Sequence, residues 1–493
     1  MSDTLLKAVD IQMSFAGVHA LKRVTLDIQR GEIHCLAGEN GCGKSTLIKI
    51  ISGVYKPDGG HIEFEGKPYG QITPIEAIAN GIQVIYQDFS VFPNLTVMEN
   101  IAFNSELADR RVLVNRKRMR AIAEQAVKRI HFEVDLHERV GNLSVAQKQM
   151  IAISRALLFN AKFIIMDEPT TALTKREVNM LFQMILELKK QGIATLFVSH
   201  KLDEVFEISE RFTILRGGET VATGVTSDLD GRKFTFYMTG RELEAAPFVP
   251  KALGEEPVLE TTRLSMAGHF EDVSFSVRRG EVLGITGLLD SGRTELALAL
   301  FGVRKTTGGE IRVKGKPAAI NSPADAIRHG IGYVPEDRLS EGLFLPRPIG
   351  DNVVIAEIDN LASHGVLDRA AKRREVERWV RELAIATPDP DNACQTLSGG
   401  NQQRVVLAKW LALSLDVLVL NGPTMGVDIG SKHDIHRILQ GLADSGMAVI
   451  LISDDLPEVI ANCSRALILR DGRLAHEINP RESDVRTLSE LMM

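Results

Sequence analysis

The sequence predicts an α/β fold laid down twice in one chain, and three observations carry that prediction. Short apolar runs such as Ile33 to Ala37, Phe163 to Met166 and Thr195 to Val198 alternate with longer stretches of helical period, the pattern of a mostly parallel sheet covered by helices. Two segments then recur in the same order. GEIHCLAGENGCGKSTL at Gly31 is answered by GEVLGITGLLDSGRTEL at Gly280, 249 residues on, and LSVAQKQMIAISRALL at Leu143 by LSGGNQQRVVLAKWLA at Leu397, 254 residues on. Between the halves, Arg241 to Pro257 carries three prolines and several charges and reads as a linker. The expected organisation is therefore residues 1–240, a linker over 241–257, and residues 258–493.

Bulk properties narrow the classes. A chain of 493 residues has ample material for two cores at roughly 150 residues per domain. Lys and Arg total 58 against 64 Asp and Glu, a net charge of −6, so no nucleic-acid partner is expected. The longest apolar stretch, Trp410 to Leu420, is interrupted by Asp416 and falls short of the ~18 residues that span a bilayer. The N-terminus lacks a basic segment followed by an apolar core. Four scattered cysteines with no C-x-x-C pair argue against a zinc or disulfide framework and fit a reducing cytoplasm.

In sheets of this kind ligands sit beyond the carboxyl ends of the strands, and the chemistry-bearing motifs follow apolar runs. Gly38, Glu39, Asn40, Gly41, Cys42, Gly43, Lys44 and Ser45 form G-x-x-x-x-G-K-S directly before the helical stretch Thr46 to Ser52. Glycines let backbone N–H groups line a nest for phosphate oxygens, Lys44 reaches the terminal phosphates, and Ser45 can ligate Mg²⁺. The strand-like KFIIM delivers Asp167 and Glu168 to its end. An aspartate there can hold Mg²⁺, and a glutamate can polarise an attacking water; taken alone, the same residues would also suit a plain acidic turn. Gln87 and His200 stand at two further strand ends. Phe15, ahead of the phosphate loop, suits either stacking on adenine or a place in the core.

The combination of GENGCGKS, the Gln87 loop, LSGGNQQ, DEPT and His200 resembles the ATPases of ATP-binding cassette (ABC) transporters. GYVPEDRLSEGLF, LSGGNQQRVVLAKWL and DEPTTALTKREV narrow the resemblance to ATPase subunits of bacterial monosaccharide importers, which carry two cassettes in one chain. That resemblance implies two P-loop cassettes, each with a helical lobe, paired head to tail so that ATP lies between the phosphate loop of one and the signature of the other.

On that expectation one composite site is complete. The first half supplies Lys44, Ser45, Thr46, Gln87, Asp167, Glu168 and His200, and the second half supplies Ser398, Gly399, Gly400 and Asp428. The complementary site is altered at nearly every position: Lys44 corresponds to Arg293, Ser45 to Thr294, Gln87 to Glu336, Asp167 to Asn421, Glu168 to Gly422 and His200 to Asp454. Its signature, beginning at Ser144, replaces two glycines with Val145 and Ala146. The expectation is one hydrolytic site and one degenerate site, with independent cassettes of which the second decayed as the alternative.

The resemblance further implies ATP and Mg²⁺ as ligands and a peripheral position on the cytoplasmic face of the inner membrane. It also implies two integral-membrane permease subunits docking near the Gln87 loop and near its repeat at Glu336, and an extracytoplasmic solute-binding protein. Phe89, Phe92, Leu343, Phe344 and Leu345 mark those loops, where packing of a helical lobe would equally place them. A tandem-cassette ATPase acting on ribosomes and a nucleotide-sensing regulator are the competing classes; the short linker, acidic balance and decayed second site weigh against the first, and Glu168 against the second.

Overall fold

The computed structural model describes residues 4–15, 17–86, 91–108, 115–130, 132–158, 160–170, 173, 175–242, 247–288 and 290–492. The chain divides into two compact units, Met1–Leu243 and Glu244–Met493.

In the first unit a six-stranded sheet has the order Glu219–Val225, Arg211–Arg216, Ile33–Gly38, Ala194–Val198, Phe163–Asp167, Ile82–Ile85. All neighbours run parallel except the Glu219–Val225 edge, which pairs antiparallel. Ile33–Gly38 and Ala194–Val198 are buried at every residue, as strands covered on both faces must be, which is why they read as unbroken apolar runs. Helices Lys44–Ile51 and Lys175–Lys190 pack against this sheet. Val97–Ala108, Arg116–Arg129 and Val145–Leu158 form a lobe around Ile101, Met119, Ala123 and Ile151.

A second, antiparallel sheet of order Val18–Gln29, Thr4–Phe15, Gly59–Phe64, Lys67–Tyr69 completes the unit. Its signal is the recurrence of Leu21, Val24, Leu26 and Ile28, all buried, with exposed or half-buried residues between them.

The second unit repeats the plan. Its six-stranded order is Ile331–Val334, Val417–Asn421, Ala448–Ile452, Val282–Gly287, Arg465–Arg470, Arg473–Ile478, again parallel but for the last edge. One apolar core joins this sheet to helices Arg293–Leu300, Ile349–Val354, Arg369–Glu382 and Gly399–Leu411. The segment read as a linker is held to this unit from Phe248 onward. The Phe248 N–H donates to the Ala461 carbonyl at 2.8 Å, Arg481 donates to the Phe248 carbonyl at 2.6 Å, and Pro257 opens a strand. The four cysteines are buried free thiols. No described helix is long and apolar enough to cross a membrane.

Candidate nucleotide site

Strand Ile33–Gly38 ends in the loop that leads to helix Lys44–Ile51. Two glycines give the loop its shape: Gly41 has φ 80° and Gly43 has φ 107°, backbone that side-chain-bearing residues rarely adopt. A Cβ on Gly43 would also stand 2.6 Å from Leu21 Cδ2 and 2.7 Å from the Ala20 carbonyl. Gly38 is needed for contact, since a Cβ there would meet Cys42 Sγ at 2.4 Å and the Leu215 carbonyl at 2.5 Å. Cys42 is thus a small buried filler under the loop.

Gly43 heads the helix without a side-chain cap, so the first-turn amides keep the positive end of the helix open to an anion. Lys44 is buried, and its Nζ donates to the carbonyls of Gly38 at 2.6 Å and Glu39 at 3.1 Å. Its charge is thereby held across the mouth of the loop. Asn40 and Ser45 are exposed, and Glu39 and Thr46 are half-buried.

The acidic pair and the histidine meet because their strands are neighbours. Asp167 pairs with Val198 in the parallel register, so the residues leaving both strands emerge side by side. Glu168 then turns into a left-handed conformation at φ 47°, with its N–H donating to the Val198 carbonyl at 3.2 Å. For a residue bearing a Cβ that turn costs about 1–2 kcal/mol. It aims the carboxylate at His200, whose Nδ1 is 3.3 Å from Glu168 Oε1.

The two adjacent carboxylates are driven apart. Burial, with the Glu168 charge beside it, raises the Asp167 pKa. The His200 hydrogen bond lowers that of Glu168 against the opposing effect of burial. The two neighbouring carboxyls therefore differ in how readily they ionise, Glu168 more readily than Asp167.

Gln87 and Phe89 lie outside the described residues; the strand leading to them, Ile82–Ile85, is the sheet edge beside Phe163–Asp167. Phe15 is 40 % exposed at the end of its strand, with its ring edge-on to Tyr55 at 5.5 Å, so it is not a core residue.

In the second unit the loop backbone persists while its chemistry changes. Gly292 keeps φ 91° ahead of helix Arg293–Leu300. Arg293 is 4 % exposed, its Nη2 lies 3.4 Å from Asp454 Oδ2, and its Nε and Nη1 are buried without a partner among the described residues. Thr294 follows in the first turn, half-buried. Asn421 is buried and donates to Glu336 at 3.4 Å. Gly422 takes the Glu168 turn at φ 55°, its N–H donating to the Ile452 carbonyl at 2.8 Å. At the two positions that carry Asp167 and Glu168 in the first unit, the second therefore has an amide and no side chain.

The two signatures also differ. Ser144 caps helix Val145–Leu158 reciprocally with Gln147: the Ser144 N–H donates to Oε1 at 3.0 Å and Ser144 Oγ accepts the Gln147 N–H at 3.3 Å. Ser398 makes no such cap on helix Gly399–Leu411, leaving the first amides without a cap from it, and its exposed Oγ accepts from the Asn401 side chain at 3.0 Å. Asp428 caps helix Ile429–Asp444 through Ser431 N–H at 2.8 Å. The two helix starts touch, since a Cβ on Gly400 would stand 2.1 Å from Ser431 Oγ and 3.7 Å from Asp428 Oδ2.

Sequence reasoning missed several residues that hold these pieces. Asn100 and Asn352 are buried and play one role in each unit. Each accepts from a phenylalanine N–H, that of Phe92 at 2.8 Å and that of Phe344 at 2.7 Å, and donates back to the same residue's carbonyl at 2.9 and 3.1 Å. Their equal offset of 252 residues was the available signal. Arg338 falls in the stretch where the second half is three residues longer, so the repeat gives it no counterpart, whereas Lys409 answers Arg155 at the 254-residue offset.

Two segments of the chain, residues 21–171 and 270–425, match the ABC transporter family. The chain belongs to the ABC transporter family. Among curated relatives, the ribose import ATP-binding protein RbsA of Bacillus licheniformis is 39% identical over 478 residues, 97% of each chain. The protein of that name from Clostridium perfringens is 41% identical over 490 residues, 99% of this chain and 98% of the relative. A putative ribose/galactose/methyl galactoside import ATP-binding protein of Halalkalibacterium halodurans is 38% identical, covering 97% of this chain and 92% of the relative. As a tandem ABC ATPase, the chain binds ATP through such cassettes.

Proposed function

We propose that this chain is the ATP-hydrolysing subunit of a bacterial ABC importer for ribose or a related monosaccharide or polyol, with one hydrolytic site and one degenerate site. The observation that carries the reading is the pairing of Glu168 with His200 at 3.3 Å beside a complete phosphate loop, set against Asn421 and Gly422 at the corresponding places of the second unit.

In this reading the loop amides and Lys44 take the β- and γ-phosphates, and Phe15 offers an exposed ring for adenine. Glu168, held ionised by His200, accepts the proton of the water that attacks the γ-phosphorus in line. His200 then faces the charge that develops on the γ-phosphate, and the uncapped amides at Ser398 to Gly400, with Asp428 behind them, complete the site. Ser45 hydroxyl and Asp167 carboxylate are hard oxygen donors that suit Mg²⁺, with Gln87 as a third, and the ion would neutralise phosphate charge. Glu39, Asn40 and Thr46 line the loop. Arg293, Thr294, Glu336, Asn421, Gly422, Asp454 and Ser144 make the degenerate site.

The partners are two permease subunits, and through them an extracytoplasmic solute-binding protein, with the chain peripheral on the cytoplasmic face of the inner membrane. Phe92 at 48 % exposure and Phe344 at 61 % support docking there. Phe344 borders a hollow of about 370 Å³ that Ile355, Ile358 and Leu367 line. Reconstitution with a monosaccharide permease and its solute-binding protein tests the reading. Phosphate release that rises when loaded binding protein is added supports it; turnover indifferent to every monosaccharide-loaded binding protein would overturn it.

A further inference from the structure

Between Gln87 and Phe92 there are five residue steps, and between their counterparts Glu336 and Phe344 there are eight. The three extra residues of the second unit are spent on one wide helical turn, Arg338–Gly342. Asp337 heads the turn, accepting from the N–H groups of Leu339 at 2.9 Å and Ser340 at 3.2 Å and from the Ser340 hydroxyl at 2.7 Å. Two cations then tie it to the signature region. Lys409, on the signature helix, donates to the Gly342 carbonyl at 2.8 Å. Arg338 reaches the other way, with Nη1 donating to the Met425 carbonyl at 2.7 Å and Nη2 to the Gly426 carbonyl at 3.3 Å.

The same guanidinium lies against the first signature glycine: a Cβ on Gly399 would stand 2.8 Å from Arg338 Nη2. One rigid, planar group therefore touches two turns at once, the one that opens the signature helix and the one that runs into Asp428. A flexible ammonium cannot reproduce this fork, because it presents a point charge where two carbonyls and a flat contact are needed. Burial of the inserted turn against Val406 and Pro335 near Gly342 keeps Arg338 from swinging away.

We propose that Arg338 is a positioning residue for ATP hydrolysis, fixing Ser398 to Gly400 and Met425 to Asp428 at one spacing so that both meet the nucleotide together. The inference rests on the reading that this signature serves the nucleotide held at Lys44. The inserted turn explains why the three extra residues sit in the unit whose signature glycines are intact, while the first unit, with Val145 and Ala146 in their place, has the shorter connection.

The test uses the full chain with Arg338→Met, Arg338→Lys and, as a control, Gly399→Leu, reading kcat, KM for ATP, nucleotide dissociation constant and thermal midpoint. A misplaced signature costs about 10- to 10²-fold in rate. Arg338→Met is expected to lose that much kcat while the nucleotide dissociation constant stays within about twofold, and Arg338→Lys, which keeps one donor, to fall between. Where Arg338→Met does not fold, the kcat of Arg338→Lys alone decides. Wild-type kcat in the Arg338 variants alongside an inactive Gly399→Leu overturns the role of Arg338 and leaves the signature reading standing. Wild-type kcat in all three overturns that reading and this inference with it. A loss of kcat that merely tracks a lowered thermal midpoint assigns Arg338 to stability and also overturns the proposal.

Discussion

Glu168 and Gly422 hold the same left-handed turn at the same strand end, with φ of 47° and 55°, and each donates its N–H to the last carbonyl of the neighbouring strand. The first unit accepts backbone strain to present a carboxylate. The second has given up the carboxylate and with it the strain. Strain retained where a reactive group must be aimed, and relaxed where it need not be, separates the two sites more sharply than any single substitution.

Glu168→Gln is expected to cut phosphate release by about 10²- to 10⁴-fold with ATP still bound. Glu168→Gly should be as inactive but more stable than Glu168→Ala, because glycine takes φ 47° without the roughly 1 kcal/mol penalty a Cβ brings. Thermal midpoints of the two variants check this.

Gly422→Glu should not create a second hydrolytic site. Its Cβ would stand 3.3 Å from Glu336 Cγ, and its charge would face the Glu336 carboxylate, with Asn421 instead of an aspartate beside it. A stability loss of about 1–3 kcal/mol with unchanged phosphate release is the expected result by denaturant titration.

Gly399 and Gly400 should respond differently to alanine. At Gly400 the Cβ meets Ser431 Oγ and Cβ at 2.1 and 2.3 Å, so Gly400→Ala should destabilise the second unit by about 1–3 kcal/mol, and Ser431→Gly should recover much of it in a double-mutant cycle. At Gly399 the obstacle is the end of the Arg338 side chain, so stability should change little while turnover drops.

Arg293→Met should leave phosphate release within about twofold and raise the thermal midpoint. Among the described residues, two nitrogens of the buried guanidinium have no partner, and its ion pair reaches a largely exposed Asp454. Replacing such a charge with an apolar side chain of similar length is neutral or stabilising by about 1–4 kcal/mol. A collapse of hydrolysis like that of a Lys44 variant would contradict the one-site reading.

Glu458 gives the second unit a pH dependence. Burial acts to raise its pKa, but hydrogen bonds from His436 at 2.7 Å and Ser453 at 2.5 Å outweigh this, and the net value is lowered. A lowered folded-state pKa contributes stability above the ordinary carboxylate range and loses it as pH falls through the folded value. His436→Ala should therefore move the acid unfolding midpoint to higher pH and cost about 1–3 kcal/mol at pH 7, measurable by circular dichroism against pH.

Local rules made much of this legible. Buried parallel strands read as apolar runs, so Ile33–Gly38, Phe163–Asp167 and Ala194–Val198 were found to within a residue. The antiparallel sheet through Thr4–Phe15 was less visible, because its half-exposed strands alternate with charges and their register shifts at several points. Phe15 illustrates the limit: apolarity said buried or stacked, and only its place at an open strand end decided against the core.

What the amino-acid order determined alone is the inventory: a phosphate loop whose glycines are dictated by backbone sterics, an acidic strand end in one half, its loss in the other, and a signature with or without glycine. These follow from residue type and short spacing, which local sterics govern. Which groups meet was settled by tertiary structure. Glu168 reaches His200, 32 residues on, because the two strands that lead to them are hydrogen-bonded neighbours, and Arg338 reaches Gly399 because an inserted turn is folded onto a distant helix. Strand order and close packing are long-range properties, and no local spacing encodes them.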